Sequence, residues 1–362
     1  MAAVSTVRNR TVLNRSDRVI VLGSVAAVVL AGVTRYISLG SVTAFAVAAV
    51  AVALLASLVG RSVEQLGDRF GAGATGVLQS ALGNLPELFI GIFALRQGLV
   101  AVVQAAIIGS ILGNILLVLG LAFLVGGLRH GQQTFNSTRA RTAIAMLILA
   151  VAALVVPSLA SYVHTPAGKH EQALSSIVAV VLLLVFACSV PASIRRAPGE
   201  EEATESEPPR WPLWLAIALL TVASLLAALV SDWFVHALTP AIEALHISQA
   251  FAGLVIVAIA GNAVENVVGI QLAARNQSNY AVSVIINSPL QIALVLAPVL
   301  VLISTVLGGA TLTLVFAPML VAAVALSVLA VAFIIVDGES VWLEGAALLG
   351  LYGVLATSFW WG

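Results

Sequence analysis

The stretch Gly83-Asn84-Leu85-Pro86-Glu87-Leu88-Phe89-Ile90-Gly91-Ile92 returns in the second half of the chain as Gly261-Asn262-Ala263-Val264-Glu265-Asn266-Val267-Val268-Gly269-Ile270. Without gaps, Gly, Asn, Glu, Gly and Ile coincide at an offset of 178 residues, the distance from Glu87 to Glu265. The same offset lays Ser110 on Ser288 in the next apolar run. Chance matches between apolar segments do not keep polar residues in register across two of them. The chain is therefore an internal duplication, and each copy carries one carboxylate inside an apolar stretch.

What surrounds the duplication fixes its solvent. Of 362 residues, 61% are hydrophobic and 9% charged, against about 25% charged in a soluble domain. A soluble fold could not hide that apolar surface, but lipid can. With about 20 apolar residues per span, the runs predict eleven transmembrane helices. They fall near 18–36, 41–65, 73–97, 100–127, 142–163, 172–194, 211–237, 249–274, 280–307, 311–336 and 341–361. The class is an all-α integral membrane protein. Residues 195–210 form a polar linker with Glu200, Glu201, Glu202, Glu205 and Glu207 among prolines; it reads as a solvated tether, with regulatory cation binding as the alternative. The division is then 1–40, a tail and a peripheral first helix; 41–194, a first five-helix repeat; the linker; and 211–362, a second five-helix repeat.

Orientation follows from the basic residues. With the N-terminus in the cytoplasm, only Arg35, Arg96 and Lys169 of the 16 basic residues fall outside, as the positive-inside rule requires. Five helices per repeat is an odd number, so the second copy is inverted. Inverted repeats put substrate sites near the bilayer midplane, where helices are interrupted. Gly83, Pro86, Gly261 and Pro289 are means of interruption, and carbonyls freed at such breaks need a partner.

Asn84 and Glu87 are three residues apart, as are Asn262 and Glu265, so each pair shares a helix face. A carboxylate at mid-span costs at least about 2.5–3.5 kcal/mol on insertion scales. A protonated glutamate bonding two helices would explain one such residue; two related by a repeat point to function. Hard cations take carboxylate, amide, hydroxyl and carbonyl oxygens, and Glu87 with Glu265 balances one divalent ion. The same carboxylates, desolvated without metal, take up protons. Metal and proton competing for one site, under alternating access, is antiport.

These motifs resemble the paired repeats of the cation/calcium antiporter superfamily, most closely its calcium/proton exchanger (CAX) branch. The stretches VVQAAIIGSILGNILLVLGLAFLVGGLRHGQQTFN from Val102 and LQIALVLAPVLVL from Leu290 are similar to that branch too. The likeness covers most of Gly60 to Leu302. It implies one peripheral helix, two inverted five-helix repeats and an acidic segment between them. It also implies that Glu87 and Glu265 are the shared calcium and proton sites, with oxygens from Asn84, Asn262, Ser110 and Ser288 nearby. Gln104 and Gln291 match glutamines assigned to the access paths. Glu64 and Asp232 match acids near the C-terminal ends of helices 2 and 7, as vestibule acids on opposite faces or as merely solvated helix ends. Two departures touch the second half-site: Asn266 stands where the family usually has histidine, and Asn287-Ser288-Pro289 where it usually has Gly-Ser-Ser.

The reading is a secondary transporter exchanging a cation, Ca2+ first, for protons, with Na+ or K+ exchange on the same scaffold as the alternative. A cation channel fits less well, since a repeated filter or charge ring is absent from the sequence. No enzyme is expected: there is no HExxH for an intramembrane metalloprotease, and His130, His164, His170, His236 and His246 fall at or outside the expected helix ends. No resident cofactor is expected beyond the transported cation and protons. Net charge is zero, so nothing invites nucleic acid; the partners are the substrate ions and the lipid bilayer, and a homo-oligomer is compatible with the reading. The single Cys188 excludes an internal disulfide. Composition and the absence of an organelle signal point to a bacterial cytoplasmic membrane.

Overall fold

The computed structural model describes residues 13–37, 39–67, 69, 78–79, 81–194 and 210–361, with the side chains of 190–194 and 264–265 outside that description. Its helices are α1 (Arg15–Tyr36), α2 (Ser41–Gly67), α3 (Leu85–Arg96), α4 (Val100–His130), α5 (Ser137–Tyr162), α6 (Glu171–Ile194), α7 (Leu213–Leu245), α8 (Gln249–Gly261), α9 (Ala263–Ala274), α10 (Ser278–Ser304), α11 (Pro318–Ile335) and α12 (Trp342–Trp360). Among the described residues, nine helices are long and apolar enough to cross a bilayer, or ten with the α8–α9 pair taken as one bent span. The span expected at 73–97 is described chiefly through α3. The fold is the all-α membrane architecture that the hydropathy predicts.

At one end of the bundle a buried polar cluster pins α1, α2 and α7 together. Asn14 caps α1 through a reciprocal pair with Asp17, at 2.7 and 3.0 Å. The Asp17 carboxylate also receives Arg61 of α2 at 2.6 Å and the Trp211 indole N–H at 3.3 Å. Gln65 Oε1 accepts from the backbone N–H groups of Arg210 and Trp211, at 2.8 and 3.1 Å. Each charge or donor removed from water is paired there, as burial demands. Further along, Phe45 of α2 stacks on Phe234 of α7 with centroids 4.9 Å apart. The other face of α1 stays outward, with Val19, Leu22, Val29 and Leu30 exposed for lipid.

In the middle, α4 crosses α8 with no room for side chains. A Cβ on Gly109 would stand 2.2 Å from the Leu254 carbonyl oxygen, and one on Gly253 would stand 2.4 Å from that of Val102. Lipid tails are as apolar as leucine, so such close approach of small residues drives helix association in a bilayer. At the end of α4 a two-residue pairing of β1 (Gln133–Thr134) with β2 (Glu339–Ser340) ties the α4–α5 connection to the α11–α12 connection.

Two expected boundaries need correction. The helix expected from 311 begins at Pro318, because residues 310–317 are non-helical, with a bend at Leu314. Leu312, Leu314 and Phe316 are buried there, and side chains of other helices satisfy the backbone. The helix expected to end at 237 continues to Leu245, through Pro240. Its C-cap, His246, takes a left-handed conformation at φ 53°. His236 therefore lies inside α7 rather than at a helix end, and Asp232 is three to four turns short of the C-terminus where it was expected. The segment 195–209, holding the acidic linker apart from Arg210, lies outside the described residues.

Candidate functional site

The two halves break their helices in the same way. Asn84, before α3, has φ −92° and ψ 16°; Asn262, between α8 and α9, has φ −92° and ψ 21°. Both sit in the sparsely populated bridge region, and neither side chain caps the helix that follows. The amides are used elsewhere. Across the second break α8 and α9 are bent by 64°. Glu87 falls in the first turn of α3 and Glu265 in the first turn of α9, where a helix N-terminus favours negative charge.

Around Glu87 the buried polar side chains converge. Its Oε1 accepts from Ser110 Oγ of α4 at 3.1 Å and from Asn262 Nδ2 at 2.5 Å. The Asn262 nitrogen also lies 2.9 Å from Ser110 Oγ and 2.9 Å from the Ala258 carbonyl oxygen. On its other side, Asn262 Oδ1 accepts from Ser288 Oγ of α10 at 3.3 Å and from Asn114 Nδ2 at 3.1 Å. Asn84 Nδ2 donates to Gln291 Oε1 at 3.3 Å. Glu87, Ser110, Asn262 and Ser288 thus form one network from three helices and both repeats, with Asn84 beside it. Glu265 belongs to α9 by its backbone, and its side chain is outside the described residues.

Glycine makes the space for this network. A Cβ on Gly261 would lie 2.4 Å from Glu87 Cγ and 2.8 Å from its Oε1, so the carboxylate occupies the volume a side chain would fill. Beyond Glu87 a narrow crevice opens between α3, α4, α8 and α10, lined by Gly91, Ala94, Val103, Ser110, Val257 and Leu300 among others. A second is bounded by Asn84, Leu88, Val295 and Val299.

The remaining expected residues lie apart from the network. Gln104 gives its amide nitrogen to the carbonyls of Thr313 and Val315, at 2.9 and 3.0 Å. Glu64 is exposed near the C-terminus of α2. Gln65, its neighbour, meets the start of α7, whereas Asp232 is some 20 residues up α7, about 30 Å away at 1.5 Å per residue. The two acids are therefore at opposite ends of the bundle. Asp232 Oδ1 is 3.4 Å from His236 Nδ1, which is itself 3.1 Å from Gln97 Nε2.

One member was missed. Asn114 is 1% exposed, bonded to Asn262 and to the Ser110 carbonyl, and opens a π-helical segment, Gly113–Val118. Its repeat counterpart is Ile292, so comparing the two copies passes over it; the signal was a lone amide within Ile-Leu-Gly-Asn-Ile-Leu-Leu. A second π-helical segment, Ile292–Leu296, lies at the matching place in α10. Extra-residue turns of this kind gather at functional sites.

A profile described as sodium/calcium exchanger protein matches residues 40–195 and 215–361. The Ca(2+)/H(+) antiporter ChaA of Bacillus subtilis (strain 168) is 38% identical over 325 residues, covering 88% of this chain and 92% of its own. The Ca(2+)/H(+) antiporter of Aphanothece halophytica is 34% identical over 336 residues, covering 88% and 90%. The solved structure of native YfkE superposes with a TM-score of 0.81 at 34% identity, covering 94% of this chain and 99% of that one.

Proposed function

The chain belongs to the sodium/calcium exchanger protein family, and we propose that it is a secondary antiporter that moves Ca2+ against protons by alternating access. The observation that carries this reading is the network of Glu87, Ser110, Asn262 and Ser288, which draws both helix breaks to one place. Two relatives, both Ca(2+)/H(+) antiporters, favour calcium over the sodium or potassium alternative.

Glu87 and Glu265 are the shared cation and proton sites. Ca2+ takes six to eight oxygens at about 2.3–2.6 Å. Two carboxylates supply the charge; Ser110, Ser288, the Asn84 and Asn262 amides and carbonyls at the breaks supply neutral oxygens. In the arrangement described, Asn262 turns its nitrogen to Glu87 and its oxygen to Asn114 and Ser288. A cation arriving at Glu87 must displace that N–H donor, and half a turn of the amide presents Oδ1 in its place. Protons and hydrogen-bond donors hold the site when the cation leaves, so the pair of glutamates is never left bare in a low-dielectric interior. Gln291, bonded to Asn84, lines the approach to the first break, and Glu64 and Asp232 attract cations at the two mouths. The protein lies in a bacterial cytoplasmic membrane with its N-terminus in the cytoplasm.

Reconstituted vesicles with a pH-sensitive dye inside test this. Adding Ca2+ outside should drive proton movement at a rate well above that with Na+ or K+ at equal ionic strength. Flux with Na+ or K+ and none with Ca2+ would overturn the assignment.

A further inference from the structure

We propose that residues 310–317 are a strap that sets the width of the crevice at Glu87, and that Gln104 is the positioning residue through which the strap acts on α4. The inference rests on the exchange reading above and adds what governs cation fit.

The strap is a non-helical chain inside a helical membrane protein, so its backbone must find partners within the protein. It finds them with the two-residue alternation of a strand. Leu312, Leu314 and Phe316 face α5, α6 and α10. Leu312 N–H donates to Ser304 Oγ, Leu314 N–H to Ser175 Oγ and Phe316 N–H to Ser158 Oγ, each at 2.9 Å. In return Ser158 Oγ donates to the Leu314 carbonyl at 2.9 Å, and the Tyr162 hydroxyl donates to that of Phe316. The odd-numbered residues face the other way: the carbonyls of Thr313 and Val315 both accept from Gln104. At the strap's start, Ala310 N–H donates to the Leu95 carbonyl of α3 at 3.1 Å.

Those partners include three of the four helices around the crevice, all but α8, which contributes Val257. Ala94 of α3, Val103 of α4 and Leu300 of α10 line it, and each is within four residues of a strap anchor, namely Leu95, Gln104 and Ser304. The strap also fastens them to α5 and α6. Gln104 lies six residues from Ser110 on the same helix, about 9 Å along the axis. Releasing it lets α4, and with it the Ser110 hydroxyl, drift from Glu87. The carbonyl pair of Thr313 and Val315 asks for a donor, which decides between this role and a cation-path lining.

The test is a set of Gln104 variants in vesicles, with melting temperature measured in parallel without cation. Gln104→Met keeps the length and removes the donor. It should melt lower and need about tenfold more Ca2+ for half-maximal flux, the effect of one or two hydrogen bonds, with the maximal rate nearly kept. Gln104→Lys restores donors and should recover both properties toward wild type. Gln104→Glu sets a carboxylate against two carbonyls and should be the worst. A glutamine facing the cation path demands the reverse order, with Glu tolerated and Lys blocking; that order overturns the proposal, as do wild-type melting and affinity in Gln104→Met. Should Gln104→Met fail to fold, Ser158→Ala on α5, away from the crevice, gives the same decision: weakened Ca2+ affinity supports the strap, unchanged affinity refutes it. If wild type moves protons with another cation and not with Ca2+, the exchange reading fails while the melting series still tests the strap.

Discussion

Gly261→Ala is the sharpest perturbation this site allows. The new methyl carbon would stand 2.4 Å from Glu87 Cγ and 3.0 Å from its carboxyl carbon, where carbon atoms prefer about 3.5–4.0 Å. Glu87 must retreat by roughly 1 Å, yet its Oε1 is held by Ser110 and Asn262 at 3.1 and 2.5 Å. Overpacking of this sort costs about 1–3 kcal/mol, offset by up to about 1 kcal/mol from the better helix former. A displacement of about 1 Å in a positioned site costs about a hundredfold, equivalent to about 2.7 kcal/mol. The expected outcome is a folded protein with Ca2+ affinity down by about two orders of magnitude, read as half-maximal Ca2+ in vesicle flux beside a melting curve. Gly353→Ala in α12, where a Cβ meets nothing within 4 Å, should leave flux unchanged. Wild-type affinity in Gly261→Ala, or an equal loss in Gly353→Ala, would refute the reasoning.

Glu87→Gln and Glu265→Gln should each abolish Ca2+-driven proton flux in protein that still inserts and elutes as wild type; full flux in either removes that residue from the mechanism. Apparent Ca2+ affinity should weaken as pH falls, because protons and cation share the carboxylates, and calorimetric titration over a pH series checks it; an affinity flat with pH argues for separate sites. Replacing all five histidines with glutamine should leave the pH profile of flux in place, since none of them hydrogen-bonds to the Glu87 network; a marked shift would put His236, beside Asp232 and Gln97, on the proton path.

The lipid made most of the fold legible. Apolar runs of about 20 residues are what a bilayer demands, and the Gly-Asn-x-x-Glu duplication located both helix breaks before any coordinates. Glycine chemistry further predicted interruption at Gly83 and Gly261, whereas α10 runs on through Pro289, where a break was expected too. What stayed hidden depends on distant partners. The strap is apolar enough to pass for the start of a helix, and only Thr311-Leu312-Thr313-Leu314, polar and apolar in turn, betrays it. Its non-helical course is held by Gln104, Ser158 and Ser175, more than a hundred residues away. The run of α7 past Ala237 was unreadable because His236, Thr239 and Pro240 look like an ending. Asn114 escaped because its copy in the second repeat has become isoleucine.

The pin at the end of α1, α2 and α7 bears on how the polypeptide is assembled. Trp211 is the point where the second half of the chain re-enters the bundle, and it is 1% exposed, clasped by Asp17, Gln65 and Arg69 of the first half. Non-covalent contacts hold that junction on both sides of the linker, and Phe45 with Phe234 continues the seam along α2 and α7. Cohesion between the halves therefore does not rest on the covalent link alone. A protein nicked between Arg195 and Arg210 is expected to stay one body, since these contacts join the two halves without the linker.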